Sequence, residues 1–176
     1  MHSRAGAQVP FSSINYGTDT TPEGRMVIRN ILLAEDAGLG NGETPIFPIH
    51  IFKVKEGVNY NEGDPNYDLF KLACRVSAKR LFPNFSFLDA PFNLQYYKPG
   101  DYNTEVAYMG CRTRVMANTY DPTKAVTCGR GNLSFTSINL PRLGIRANRD
   151  IDTFYKELDE EMDLVTRQLL HRFKIQ

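Results

Sequence analysis

At Thr21-Pro22 and at Asp64-Pro65 this chain sets a side chain able to cap a helix directly before a proline. Each pair opens a stretch with helical apolar spacing, and runs of β-branched and aromatic residues lie between and around those stretches. No other feature constrains the fold as much. Strands that alternate with helices run parallel, because a helix is the usual crossover between them. The first strand signal covers Val9 to Tyr16. In the helix that follows, Thr21 caps, Pro22 suits the first turn, Glu23 favours the positive end of the dipole and Gly38 is a left-handed stop. Val27, Ile31 and Ala34 or Glu35 are expected on its inner face.

"TPIFPIHIFKV" is the second strand signal, with Pro45 and Pro48 restricting its start to an edge or a bulge. The second helix has Asp64 as cap and Pro65 at its first position. Tyr67, Phe70, Cys74 and Leu81 lie on one side of it, so Cys74 reads as core filling. "NFSFLDAPFNL" is a third, shorter strand, and "RGNLSFTSINL" another. Phe11-Ser12-Ser13-Ile14-Asn15 recurs as Phe135-Thr136-Ser137-Ile138-Asn139. If that echo marks a duplication, two half-units face a shared centre with hydroxyl and amide groups at equivalent positions. The last segment, Ile151 to Phe173, spaces Phe154, Leu158, Met162, Val165 and Leu169 three or four apart, with Asp150 as cap. The class is α/β with a largely parallel sheet.

Composition narrows the function classes. Of 176 residues 41% are hydrophobic and 23% charged, enough for a core, and the net charge of +1 comes without any charge block. That argues against a nucleic-acid stripe or a membrane-binding face, while leaving room for a small anion met by local arginines. The apolar runs are too short to cross a bilayer, and "MHSRAGAQVPF" lacks the apolar core of a secretory signal. Cys74, Cys111 and Cys128 form neither a disulfide framework nor a metal spacing, so a reduced, cytoplasmic protein is expected. His2, His50 and His171 are scattered, which disfavours a metal site. "GLGNGE" follows a helix and reads as a stop and turn, since a phosphate loop should precede one. "LDEEMD" reads as a solvated helix face.

One thiol is oddly placed. In "YMGCRTRV", Cys111 stands between Gly110 and Arg112, bounded by the turn-rich "KPGDYNTE" and "TYDPTK". Those flanks suggest an extended or looped-out excursion. Either Cys111 is a small buried hydrophobe, or the glycine lets the backbone pass close to something the sulfur must reach. Asn132, in "CGRGNLSF", is likewise either turn chemistry or an amide that reads a ligand.

Four stretches together carry a resemblance: "SRAGAQVPFSSINYGTDTTPEGR", "AEDAGLGNGETPIFPIHIFKVKEGVNY", "YMGCRTRV" and "GRGNLSFTSINLPRLGIRA". Through them the chain resembles the central part of the catalytic subunit of anaerobic, class III ribonucleoside-triphosphate reductases. The resemblance implies that residues 1–176 are one segment of a ten-stranded α/β barrel of the glycyl-radical type, with a finger loop carrying Cys111. Regulatory N-terminal and glycyl-radical C-terminal regions are expected to lie outside it. Cys111 matches the cysteine that becomes a transient thiyl radical. Met109 matches a methionine that packs on the ligand, and Asn132 an asparagine of the substrate pocket.

The activity so implied is reduction of ribonucleoside triphosphates to 2′-deoxyribonucleoside triphosphates without oxygen. The complete enzyme is expected to bring a glycyl radical, a structural zinc and allosteric ATP-type nucleotide sites, and to draw its electrons from formate, with a thiol protein as the alternative. A radical-SAM iron-sulfur activating enzyme, the remaining segments of the subunit and a second copy in a homodimer are the expected partners. No cofactor or metal is expected on this chain, and neither Cys74 nor Cys128 sits where the family's second active-site thiol belongs. The segment alone is not expected to turn over. The alternatives are another glycyl-radical activity, acyl lyase or dehydratase, and a non-catalytic piece that complements a split barrel.

Overall fold

The computed structural model describes residues 12–110, 113–118, 120–127, 130–131 and 134–175. The chain forms two compact units, Met1–Arg130 and Gly131–Gln176.

The first unit is built on a parallel three-stranded sheet in the order β1-β2-β3. Its strands are β1 (Ser13–Tyr16), β2 (Ile49–Val54) and β3 (Asn84–Phe87), with Ser13 opposite Ile49 and Ile51 opposite Asn84. Helix α1 (Pro22–Ala37) joins β1 to β2, and α2 (Tyr67–Arg80) joins β2 to β3. Two crossovers that step across a sheet in the same direction with the same hand put both helices on one face. The core is accordingly one-sided: Ile28 and Leu32 of α1, Phe52 and Val54 of β2, and Leu69, Ala73 and Val76 of α2 are all buried. Phe70 and Phe85 close on Phe52 with ring centroids 6.3 and 6.1 Å away.

Both ends of α1 form as the sequence predicts, with Thr21 Oγ1 accepting from the Gly24 amide at 3.1 Å and Gly38 as the stop. The buried stripe is Ile28, Leu32 and Glu35, so Glu35 faces inward as expected while Ile28 and Leu32 take the places expected of Val27 and Ile31, and Val27 is exposed. Strand β2 is central, not an edge; Pro45 and Pro48 both precede it, so no proline occupies a ladder position. Helix α2 starts at Tyr67 instead of at Asp64-Pro65. The Asp64 carboxylate is taken by the Asn61 amide at 2.8 Å, closing a loop before the helix. Cys74 is exposed, because the face that packs is Leu69-Ala73-Val76.

Two buried asparagines brace the sheet's C-terminal end. Asn59 and Asn66 both donate to the Gly17 carbonyl, at 3.0 and 3.1 Å, and each donates a second hydrogen to another carbonyl, of Lys53 and of Asp19. Arg25 ties the same corner, reaching the Pro65 carbonyl, Asn66 Oδ1 and the Asp68 carboxylate. The "GTDTTPEGR" stretch is thus a corner of scaffold.

After β3 come a short helix α3 (Pro91–Leu94), a 3-10 turn at Tyr102–Thr104 and an antiparallel hairpin, β4 (Ala107–Met109) with β5 (Thr113–Val115). In the second unit, α4 (Leu140–Ala147) packs on α5 (Ile151–Ile175) through Leu143 and Ala147, which are buried. Asp150 caps α5, accepting from the Asp152 amide and the Thr153 hydroxyl. Phe154, Leu158, Val165 and Leu169 of its expected stripe are half-buried, while Met162 and Phe173 stay exposed.

The strand expected over "RGNLSFTSINL" does not form among its described residues, and the echo of Phe11–Asn15 is not repeated in structure. A strand exists only where a neighbour takes its ladder bonds. Here the Phe135 carbonyl is taken by the Arg172 guanidinium at 3.1 Å, and Asn139 caps α4 through a 3.0 Å bond from the Arg142 amide. No helix of the described residues is long and apolar enough to cross a membrane.

Candidate functional site

Side chains alternate across a strand. With Tyr16, Phe52 and Val54 turned to the helices, Ser13, Asn15 and Lys53 point to the opposite face. These three hold the β4-β5 hairpin there. The Asn15 side chain donates from Nδ2 to the Tyr108 carbonyl and accepts at Oδ1 from the Tyr108 amide, both at 2.9 Å. Two positions earlier, Ser13 Oγ accepts from the Gly110 amide at 2.6 Å. At the hairpin's base Glu105 is 8% exposed and takes Lys53 at 2.8 Å and Lys55 at 3.5 Å. On the outer strand, Arg114 donates to the Phe92 carbonyl and Asn93 Oδ1 and lies over the Phe92 ring.

Tyr108 pairs with Arg114 and Met109 with Thr113, so in sequence the two strands are joined through positions 110–112. Gly110 sits at φ +60°, a left-handed conformation that glycine adopts at least cost. The described part of the segment where an extended or looped-out excursion is expected is the antiparallel pair β4-β5. Cys111 and Arg112, which follow Gly110 in sequence, lie outside the described residues. Met109 is half-buried on β4, next to Gly110. Asn132 and Cys128 also lie outside the described residues.

Two polar clusters escaped sequence reasoning. One is the hairpin mount itself. A signal for it exists in "FSSIN", where Ser13 and Asn15 stand two apart in a strand, on one face. The other lies under α1, where His50 Nδ1 meets the Tyr16 hydroxyl at 3.0 Å and His50 Nε2 stands 3.6 Å from Glu35. Burial holds the Glu35 carboxyl above its ordinary range, with the Arg80 charge acting against it. Burial likewise lowers the His50 pKa, and burial with the Glu35 charge raises that of Tyr16. This triad faces the helices, away from the hairpin.

A small pocket lined by Lys55, Asp89, Asn93, Tyr97 and Glu105 lies beside the hairpin's base. Among the described residues no three His, Cys, Asp or Glu side chains gather as a metal site requires.

The sequence model of the family described as "Anaerobic ribonucleoside-triphosphate reductase" matches residues 1–176. Relatives bearing that same name are similar at a consistent level. The one from Escherichia coli strain K12 is 35% identical over 169 residues, 96% of this chain and 23% of its own length. The Haemophilus influenzae relative is 34% identical over 98% of this chain and 23% of its own, and that of Enterobacteria phage T4 is 34% identical over 96% and 28%. The chain thus spans about a quarter of the length of the curated relatives it matches. A family model that matches residues 1–176, with a relative 35% identical over 96% of the chain, establishes that the chain belongs to the anaerobic ribonucleoside-triphosphate reductase family.

Proposed function

We propose that this chain supplies part of the catalytic barrel of a reductase that converts ribonucleoside triphosphates to 2′-deoxyribonucleoside triphosphates, with Cys111 as its hydrogen-transferring thiol. In that reading the three parallel strands belong to a ten-stranded α/β barrel, the face bearing Ser13, Asn15 and Lys53 is its interior, and the hairpin is the finger loop. The observation that supports the reading is the mount: strand β4 and Gly110, which precede Cys111 in sequence, are held by hydrogen bonds on the sheet face opposite the helices.

The chemistry suits a thiol in such a place. A hydrogen atom leaves the Cys111 S–H for a glycyl radical carried elsewhere in the complete enzyme, and the S–H bond is weak enough for this to reverse. The sulfur then takes the 3′-hydrogen of the ribose, re-forming S–H; the 2′-hydroxyl takes up a proton and departs as water; and after two-electron reduction the thiol returns a hydrogen atom to C3′, so that the thiyl recovers its own from the glycine. Formate, oxidised to carbon dioxide, supplies the two electrons. The thiol stays protonated at rest, unlike a nucleophilic cysteine of lowered pKa. Met109, beside the turn, packs on the ligand, and Asn132 bonds a ribose hydroxyl. An analogue lacking that hydroxyl is rejected because the amide is left unpaired. Structural zinc, allosteric nucleotide sites, the radical-SAM activating enzyme and the homodimer belong to the complete protein. The relatives named above are reductases by name, which disfavours an acyl lyase or dehydratase.

The test is a complete reductase carrying this segment with Cys111→Ala or Cys111→Ser. The glycyl radical, read by electron paramagnetic resonance, forms as in wild type, and deoxynucleotide formation falls to background. Turnover by the alanine variant would remove the proposed role.

A further inference from the structure

We propose that Ser13 and Asn15 are positioning residues for the reaction, setting the height and register of the turn that presents Cys111. This rests on the reading of Cys111 given above. Tyr108 gives its N–H to, and takes a hydrogen at its C=O from, the one Asn15 side-chain amide. That is the exchange two residues make in a hydrogen-bonded antiparallel pair, so the side chain acts as a one-residue strand. Ser13 Oγ then takes the Gly110 amide, the last backbone donor before Cys111. Three bonds from one strand thereby fix the residues on either side of Met109.

The hairpin depends on such outside help. Two strands of three residues each are marginal alone, so the turn sits where its tethers place it. Glu105 and Arg114 hold the base and the outer strand, and among the described residues Ser13 and Asn15 hold the arm leading to the turn. Asparagine is also a poor strand former, and serine adds little to a pleated surface. A sheet selected for stability alone would carry β-branched residues at both positions. Departures from local preference of this kind collect at functional sites.

Hydrogen transfer is steep in distance, and a misplacement of about 1 Å costs about 100-fold in rate. In a complete reductase carrying this segment, Asn15→Ala should lower kcat per glycyl radical about tenfold to 100-fold. The KM for the ribonucleoside triphosphate and the radical content should stay at wild-type values. Ser13→Ala should lower kcat per radical about tenfold, and Ser13→Thr, which keeps the acceptor oxygen, should restore it. A purely structural role would lower folded protein and radical yield together and leave turnover per radical unchanged, which would overturn the proposal. If Asn15→Ala is insoluble, the Ser13 pair decides, since it differs by one acceptor oxygen and a methyl group. Cys111→Ser, assayed in parallel, separates the two readings. If it turns over, the thiol's role has failed. If it is inactive while Ser13→Ala and Asn15→Ala run at the wild-type rate per radical, the positioning role alone has failed.

Discussion

Asn15 and Tyr108 lie 93 positions apart and pair at 2.9 Å in both directions, the side-chain amide of one matched to the main chain of the other. The pairing joins strand β1 of the scaffold to strand β4 of the hairpin. Strand β1 is held rigidly from behind, through the helix-packed face and the two asparagines at Gly17. Whatever holds β1 therefore holds the hairpin.

The ion pair at the hairpin's base carries a first prediction. Glu105 is nearly buried between Lys53 and Lys55, and removing one member of such a pair leaves the others uncompensated. Glu105→Gln is expected to speed amide hydrogen exchange at Ala107, Tyr108 and Val115 by about tenfold or more while leaving α1 unchanged, about 1.4 kcal/mol of local opening. Uniform acceleration over the whole unit would show that the pair supports the fold and not the hairpin.

Gly17 carries a second. Its φ is +127°, and a Cβ there would stand 2.7 Å from the Lys53 carbonyl oxygen. Both the conformation and the contact penalise a side chain, so Gly17→Ala should cost about 2 kcal/mol or more. A urea midpoint equal to wild type would contradict the packing described at this corner.

The polar triad under α1 sets a pH dependence. Burial raises the Glu35 pKa, so the folded state keeps this proton more tightly than the unfolded chain does. Stability is then lost as pH rises through the ordinary carboxylate value, about 4.3, towards the folded value. His50, lowered by burial, acts oppositely: the unfolded chain takes its proton first, and stability is lost as pH falls below about 6.5. Glu35→Gln should therefore gain on wild type as pH rises from 4 to 7 in urea titrations (pH values of the order set by those ordinary pKa values, ~4 and ~7). A difference constant across that range would mean that the Glu35 charge costs nothing.

How far the sequence foretold all this follows from the range of the forces involved. Caps and stops are local, so Thr21, Gly38 and Asp150 are readable from their neighbours alone. Which face of α1 packs depends on the helix beside it, and a stripe one position off satisfies the same periodicity. Cys74 lies on a helix with apolar residues on several sides, and only the position of Phe52 decides that Leu69, Ala73 and Val76 go inward. Asp64-Pro65 looks like a helix start until the Asn61 amide claims the carboxylate. The residues around Phe135 look like a strand, but strand formation needs a neighbour that no local pattern supplies. The hairpin's partners in β1 were hidden for the same reason, being a long-range match between side chain and backbone. Family resemblance pointed to Cys111 but was silent about what holds its turn.

A fourth prediction concerns the "GLGNGE" turn. Arg80 donates to the Asp36 carbonyl at 2.7 Å, to Ala37 at 3.1 Å and to Gly42 at 2.7 Å, capping the C-terminus of α1 with a single guanidinium. An ammonium cannot reproduce that planar fork. Arg80→Lys is expected to cost about 1–2 kcal/mol in urea unfolding, and Arg80→Met more. Equal midpoints for all three would show that solvent serves those carbonyls as well.

The most direct measurement is an experimental structure of a complete reductase carrying this segment, with a ribonucleoside triphosphate bound. The Cys111 sulfur is predicted to stand within about 3.5–4 Å of the ribose C3′, at the head of a hairpin still paired to Ser13 and Asn15. A sulfur packed among apolar side chains, remote from the sugar, would contradict the account however closely the sequences agree.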